Sequence, residues 1–77
     1  MSMDVDAELD TSGLNCPMPI LKLKQALRGL ASGQKIRMIA TDPGSESDVA
    51  AFAAQTGHRL IESKHDADTF VYVLEKA

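Results

Sequence analysis

The spacing of apolar residues changes along the chain in an order that strongly constrains its fold. Apolar and polar side chains alternate in some segments, as in strands, whereas in others apolar side chains recur every three or four residues, as in helices. Taken in order, the segments predict strand, helix, strand, helix, strand, strand. The chain has 77 residues, so residues 1–77 are expected to form one domain, and scaffolds as large as a TIM barrel are excluded.

The boundaries of these elements follow from the periodicity and from the turn residues between them. The predicted strands cover about residues 5–10, 35–41, 59–64 and 69–75. The first helix is predicted between residues 16 and 31, with Gly33 ending it just after the C-cap. The second begins after Gly44, with Ser45 and Asp48 as a capping box, and ends at Gly57. The side chains expected to be buried are Ile20, Leu23, Leu27 and Leu30 in the first helix and Val49, Phe52, Ala53 and Thr56 in the second.

This order predicts an α/β two-layer sandwich, βαβαββ, with a four-stranded mixed sheet and two helices packed on one face. Right-handed crossovers place both helices on the same side. The last two strands form an antiparallel hairpin around a turn at residues 65–68, which makes the sheet mixed. The side chains expected to face the helices from the last strand are Phe70, Tyr72 and Leu74, while Val71 and Val73 lie with Ile39 on an open apolar face.

Charge is distributed unevenly along the chain. Residues 11–41 contain five basic residues and no acidic one, although the whole chain has a net charge of −3. This distribution predicts a basic face suited to an acidic partner, with an ordinary solvated helix face as the alternative. Aromatic residues make up only 4% of the chain, so stacking platforms for bases, and with them direct nucleic-acid binding, are not expected.

The N-terminal segment and the cysteine content predict the cellular compartment of the protein. The first ten residues are acidic, without the basic start and apolar core of a secretory signal. No stretch is long enough to span a membrane, and no membrane partner is expected. The chain has one cysteine, which fits a reducing cytoplasm.

The run from Gly13 to Pro19 is the one segment with the character of a reactive site. Pro17 and Pro19 are tolerated in the first turn of a helix and locate its start. Cys16 then falls at the N-cap or just before it, near free amide groups and the positive end of the helix dipole. We therefore expect a thiol pKa below the reference of about 8.5, with Lys22 contributing if it projects nearby. The alternative is a cysteine buried as a small hydrophobic side chain.

Other cysteine chemistries are excluded by what surrounds Cys16 in the sequence. Pro19 occupies the position of a second cysteine in a C-x-x-C motif, which argues against a disulfide oxidoreductase. His58 and His65 flank the third strand and are expected at the surface, so a histidine-assisted cysteine hydrolase is not supported. One cysteine and two dispersed histidines form no metal-ligand motif, and no cofactor fingerprint is present. Neither a metal nor a cofactor is predicted.

The first helix is expected to present a docking patch beside the cysteine. With its apolar stripe buried, Met18 and Leu21 point outward near Cys16, and basic side chains form the rim. In the alternative, Met18 and Leu21 pack against a neighbouring loop. The candidate partner-binding residues are Met18, Leu21, Lys22, Lys24, Gln25 and Arg28.

The chain resembles the TusA/SirA family of small sulfur-carrier proteins over nearly its whole length. The resemblance rests on a C-P-x-P motif after G-L-x at the first helix start and on D-P-G ahead of the second. It implies a fold similar to the C-terminal domain of bacterial translation initiation factor three. The positions matching the family's motifs are Cys16, Pro17, Pro19, Asp42 and Pro43.

The resemblance also implies a function. Cys16 would accept sulfane sulfur as a persulfide from a cysteine desulfurase or a rhodanese and pass it to a sulfur-relay protein, acting as a stoichiometric sulfurtransferase. The family's outlets include tRNA 2-thiouridine formation, molybdenum cofactor supply, sulfur oxidation, and selenium or thiosulfate handling. Met18 stands where members of the tRNA-thiolation branch often have glutamate, which leaves the pathway open. The alternative function is a non-catalytic interaction or regulatory module that binds an acidic protein or RNA through the basic first helix.

Overall fold

Helices and strands follow one another in the predicted order. The structure is a computed structural model that describes residues 5–77, so the first four residues of the expected domain, including Asp4 of the acidic N-terminal start, lie outside it. The elements are β1 (Ala7–Thr11), α1 (Met18–Arg28), β2 (Lys35–Ala40), α2 (Ser45–Thr56), β3 (Arg59–Asp66) and β4 (Thr69–Glu75). The predicted βαβαββ sandwich is confirmed.

The sheet has the strand order β1-β2-β4-β3 and is mixed, as predicted. β1 pairs with β2 in parallel, whereas β4 is antiparallel to both β2 and β3. β2 alternates half-buried and buried residues, as β4 does from Thr69 to Tyr72, and the register sets Met38 opposite Tyr72. Because successive side chains point to opposite faces, one face of each central strand reaches the helices.

The core lies between this face and the two helices. Leu23 of α1 and Val49 of α2 are fully buried against it. The buried cluster comprises Leu23, Leu27, Ile36, Met38, Ala40, Val49, Phe52, Ala53, Phe70, Tyr72 and Leu74, with Ile20 and Leu30 partly buried beside it. The predicted helix-facing positions of β4 are therefore confirmed. Thr56, which was expected to be buried, is exposed, and its hydroxyl donates to the Phe52 carbonyl at 2.6 Å.

The predicted end of the first helix is wrong by several residues. α1 ends at Arg28 with Gly29 as its C-cap, not near Gly33. Leu30 continues the apolar spacing and packs against the core, although the backbone has already left the helix, so periodicity alone extends the helix too far. Gly33 instead lies in the turn before β2, at φ +89°, where its amide donates to the Lys76 carbonyl at 2.8 Å.

The predicted capping box at the second helix is also wrong. Gly44 is the N-cap of α2, and no side chain caps that end. Ser45 is buried instead, and its hydroxyl is 2.8 Å from the Tyr72 hydroxyl in β4. Each hydroxyl provides the other with a hydrogen-bond partner inside the core. This bond ties the start of α2 to β4. The predicted stop at Gly57 is confirmed, with φ +81°.

The face of the sheet away from the helices is less open than expected. Val73 is only 1% exposed, and its neighbours across the strands are Arg37 and Glu62. Directly opposed residues share a face, so these long side chains flank Val73 in place of an open apolar patch. The hairpin is also tighter than predicted, because β3 runs to Asp66 and leaves a two-residue turn.

Candidate functional site

Two loops meet at one edge of the sheet, after β1 and after β2. The strands are parallel neighbours, so their carboxyl ends lie at the same edge, where open α/β sheets commonly place their sites. The Thr11 hydroxyl donates to the Ile39 carbonyl at 2.6 Å, and the Gly13 amide donates to the Thr41 hydroxyl at 2.8 Å. Gly13 has φ +82°, a conformation that favours glycine. These bonds fix the first loop against the second.

Asp42 joins the two loops at the cysteine. Its Oδ2 accepts a hydrogen bond from the Cys16 amide at 3.0 Å, and its Oδ1 accepts one from the Gly44 amide at 3.1 Å. Its carbonyl accepts a third from the Ser45 amide at 2.9 Å. The backbone of Cys16 is therefore held by the same residue that shapes the start of α2.

The two prolines position the start of α1. Pro17 is its N-cap and Pro19 is buried in its first turn. The Met18 amide donates to the Asn15 carbonyl at 2.9 Å, which closes the turn around Cys16. The Cys16–Pro17 peptide bond is cis. Cys16 accordingly lies just before the N-cap, as the proline spacing predicts.

The Cys16 thiol is exposed, so the interpretation as a buried hydrophobic cysteine is wrong. The expectation of a lowered thiol pKa is also wrong. A hydrogen bond to the Asp48 carboxylate raises the pKa of the Cys16 thiol, with further increases from desolvation and from the negative charges of Asp48 and Asp42. The causes of this increase are therefore Asp48 on α2 and Asp42 in the loop before α2, which both disfavour the thiolate. Lys22 is exposed on α1 and lines neither groove described below.

Cys16 opens onto a groove of about 250 Å³ between the two helices. Its lining residues are Cys16, Pro17, Ile20, Lys24, Asp48, Ala51, Phe52 and Gln55. A second groove of about 250 Å³ adjoins it through Lys24 and Phe52. The further residues of this second groove are Leu27, Arg28, Thr56, His58 and Lys76. We call the two together the interhelix groove, with a cysteine end and a basic end.

The expected docking residues lie in different places around this groove. Met18 is 41% and Leu21 is 43% exposed, so neither packs away against a loop. Lys24 and Arg28 line the groove, whereas Lys22 and Gln25 are exposed outside it. Pro43 is exposed in the turn after Asp42. Among the candidates, the structure brings together Cys16, Pro17, Asp42 and Lys24.

Sequence reasoning missed the groove residues contributed by α2. The sequence interprets Asp48 only as part of a capping box, yet Asp48 lines the groove with Cys16 and raises the pKa of its thiol. Ala51 and Gln55 lie one and two turns further along the same side of the helix and line the groove. Their spacing of i, i+3 and i+7 was the available signal, because residues so spaced share one helix face.

Residues 5–77 contain neither a metal-binding cluster nor a membrane-spanning helix. No group of three or more histidine, cysteine, aspartate or glutamate side chains in this part of the chain is arranged to hold a metal ion. None of its helices combines the length and the apolar character that crossing a membrane requires.

Comparison with known proteins finds relatives that match nearly the whole chain. Residues 7–76 match the family model described as Sulfurtransferase TusA. The chain is 53% identical to the sulfur carrier protein TusA of Allochromatium vinosum, across 96% of this chain and 97% of that one. It is 45% identical to the sulfur carrier protein TusA of Pseudomonas putida, across 92% and 89%.

A solved structure supports the fold independently. The crystal structure of a SirA-like protein from Desulfitobacterium hafniense superimposes with a TM-score of 0.79, covering 90% of this chain and 95% of that one. Its sequence identity is 21%, so this similarity concerns the fold. The sequence matches extend through nearly all of the chain, and they show that it belongs to the TusA sulfurtransferase family.

Proposed function

We propose that this protein is a sulfur carrier in which Cys16 bears the sulfur as a persulfide. The observation that carries the proposal is an exposed thiol at the mouth of a groove, on a backbone that Asp42 holds in place. The names of the relatives, which are sulfur carrier proteins, support the same role. The chain has one cysteine, so it has no second thiol with which to discharge the persulfide internally.

The transfer proceeds between sulfur atoms and needs no outside oxidant. The Cys16 thiolate attacks the outer sulfur of a donor persulfide, so that a bond forms between Cys16 Sγ and that sulfur. The donor's own S–S bond breaks, and the donor cysteine leaves as a thiolate. Delivery repeats the step in reverse roles, with an acceptor thiolate attacking the outer sulfur on Cys16. The number of S–S bonds is unchanged in each step.

The carboxylates around Cys16 affect the two steps differently. Attack requires the thiolate, and the hydrogen bond to Asp48 favours the neutral thiol. A donor that brings a base or a positive charge to Cys16 therefore speeds the attack, and the thiol proton goes to that base or to solvent. Once loaded, an anionic persulfide lies near the negative charges of Asp48 and Asp42, so at equilibrium these charges favour the unloaded carrier with its neutral thiol over the loaded one.

The partners are proposed from the family resemblance. The donor is a cysteine desulfurase or a rhodanese, and the acceptor is a relay protein with a reactive cysteine. The pathway that uses the delivered sulfur is tRNA 2-thiouridine formation or another sulfur-trafficking pathway. We place the protein in a reducing cytoplasm, which keeps the Cys16 thiol free.

Intact mass spectrometry tests the proposal. The protein is incubated with a cysteine desulfurase and L-cysteine, or with a rhodanese and thiosulfate, alongside Cys16→Ser. We expect wild type to gain one sulfur atom that a reductant removes, and Cys16→Ser to gain none. Because Cys16 is exposed, the serine variant should keep the wild-type fold, which circular dichroism checks. No gain with either donor, or an equal gain on both proteins, would contradict the proposal.

A further inference from the structure

The strand β3 lies at one edge of the sheet. Its inner side pairs with β4, and its outer side pairs with no strand within residues 5–77. β3 has eight residues, and residues 63–66 are exposed. The outer side of an edge strand presents backbone amide and carbonyl groups that pair readily with a strand of another chain. β3 is therefore a surface suited to the addition of a further strand.

The charges on this edge strand alternate in sign. Glu62 and Lys64 lie opposite Val73 and Val71 of β4, so both project from the face of the sheet away from the helices. Their side chains form a salt bridge of 2.9 Å, and the Lys64 side chain is 71% exposed. A strand added beside β3 would therefore meet one acidic and one basic side chain on the same face.

A second copy of this chain matches that charge pattern. Two identical strands that pair antiparallel about a twofold axis place one residue opposite itself. With Ser63 opposite Ser63, Glu62 of each copy lies opposite Lys64 of the other, so the register forms two opposite-charge pairs. An axis at Glu62 or at Lys64 instead sets two like charges directly opposite each other, which destabilises the pairing.

Registers centred on the next residues along the strand pair less of it. An axis at Ile61 falls in the irregularity just before Glu62, where a bulge disrupts regular pairing. An axis at His65 also opposes charges of opposite sign, but it lies next to the last residue of β3. It also brings the acidic turn residue Asp68 beside Glu62 of the other copy. The Ser63 axis, near the middle of the strand, pairs the longest stretch.

The opposite edge of the sheet offers no such register. The charged residues of the edge strand β1 are Glu8 and Asp10, which are both acidic. An antiparallel pairing of two β1 strands centred on Glu8, Leu9 or Asp10 therefore always opposes two carboxylates. Charge of one sign protects an edge from pairing, so β1 repels its own copy whereas β3 fits one.

We propose that two copies of this protein associate by antiparallel pairing of their β3 edges about Ser63, which joins two four-stranded sheets into one. No residue of β3 lines the interhelix groove, so both Cys16 thiols stay exposed in the dimer. The inference does not depend on the proposed carrier function. An interface formed mainly by two short strands is small and transient, and we expect a Kd on the order of 0.1 to 1 mM.

Sedimentation equilibrium tests the association. The protein is Cys16→Ser, which excludes dimers linked by a disulfide, and its concentration is varied from about 0.02 to 2 mM. We expect the apparent mass to rise from the monomer value of 8.3 kDa towards twice that value. A mass that stays at the monomer value over the whole range would overturn the inference.

Charge reversals locate the interface on β3. Because each side chain takes part in both pairs, Lys64→Glu or Glu62→Lys turns two attractions into two repulsions, and each should raise Kd at least about tenfold. The control is Lys22→Glu, which changes the net charge as Lys64→Glu does at an exposed lysine of α1 and should change Kd less than about twofold. Circular dichroism verifies that every variant folds.

Mixing the two charge-reversal variants tests the register itself. In a pair formed by one Lys64→Glu chain and one Glu62→Lys chain, both cross-strand contacts again join opposite charges. The mixture should therefore dimerise with a Kd within about threefold of the unmixed parent protein, although neither variant does so alone. Association that survives both single reversals, or a mixture as weakly associated as the separate variants, would overturn the Ser63 register.

Discussion

The helices α1 and α2 both begin at the same edge of the sheet, but their first turns differ in charge and burial. The first turn of α1 contains no acidic residue, and Met18 at its start is exposed. The first turn of α2 contains Glu46 and Asp48, and Ser45 at its start is buried. One helix start is open to partners, whereas the other is fixed in the core and charged.

This difference explains the chemistry of the thiol. Cys16 lies next to α1 in sequence. The largest contribution to its raised pKa is nevertheless the hydrogen bond that its thiol donates to Asp48 on α2. The first helix supplies the position of the thiol and the second supplies its electrostatic surroundings. A reactive group at the junction of two elements takes its charge environment from both of them.

The largest loss of stability is expected when the residue that links the starts of α1 and α2 is replaced. Asp42→Ala removes the acceptor of the Cys16 and Gly44 amides. We expect the free energy of unfolding to fall by about 2 kcal/mol, because hydrogen bonds to a charged acceptor are lost. Urea denaturation followed by circular dichroism measures it. Asp42→Asn keeps one acceptor oxygen and should lose about half as much; a change below about 0.5 kcal/mol in the alanine variant would contradict the role of Asp42.

The second largest loss of stability is expected when the buried hydrogen bond at the start of α2 is removed. Tyr72→Phe leaves the Ser45 hydroxyl without its partner in the core, so we expect a loss of about 1.5 kcal/mol. Chemical denaturation provides the value. The double variant Ser45→Ala/Tyr72→Phe removes both hydroxyls and should cost less than the sum of the two single variants. Simple additivity would show that the two hydroxyls do not support each other.

Neutralising the charge on α2 should make the two helix starts more alike. Asp48→Asn removes the carboxylate that favours the neutral thiol, so the pKa of Cys16 should fall. Alkylation by iodoacetamide at neutral pH should then be about threefold to tenfold faster, since more thiolate is present. In the wild type, the raised pKa places the midpoint of the pH–rate profile above that of an unstructured cysteine peptide.

A charge change that does not contact the thiol serves as the control for Asp48. Glu46→Gln alters the same turn of α2 by the same charge and is expected to change the alkylation rate less than about twofold. Equal rates for Asp48→Asn and wild type would show that the carboxylate does not govern the thiol.

The smallest effect on stability is expected at the open start of α1. Met18→Ser alters a side chain that is 41% exposed, so the free energy of unfolding should change by no more than about 0.5 kcal/mol. Sulfur loading from a protein donor should nevertheless slow, because the exposed methionine offers contact area beside Cys16. Loss of stability comparable to that of Tyr72→Phe would mean that Met18 packs within the fold.

The sequence alone predicts those features that depend on local periodicity. The bounds of β4 and the stop of α2 at Gly57 agree with the structure, because alternation and a left-handed glycine are local signals. The end of α1 does not agree, since Leu30 returns to the core from a non-helical backbone. The strand order, with β4 between β2 and β3, was likewise not encoded in any single segment.

The candidate site was predictable in position but not in its electrostatics. The proline spacing located Cys16 just before the first helix. The sign of its pKa shift depended on Asp42 and Asp48, which approach only after β2 pairs beside β1. Reasoning from the segment around Cys16 included one helix dipole and omitted two carboxylates that lie 26 and 32 positions further along the chain.

A single exposed thiol at one mouth of the groove has a kinetic consequence. Under the proposed function, donor and acceptor approach the same sulfur atom from the same side, so their complexes with the carrier exclude each other. The carrier has to leave the first protein before it can meet the second, and throughput then depends on how quickly each complex dissociates. Tight binding to either protein would slow delivery, which favours brief encounters and a small contact area over high affinity.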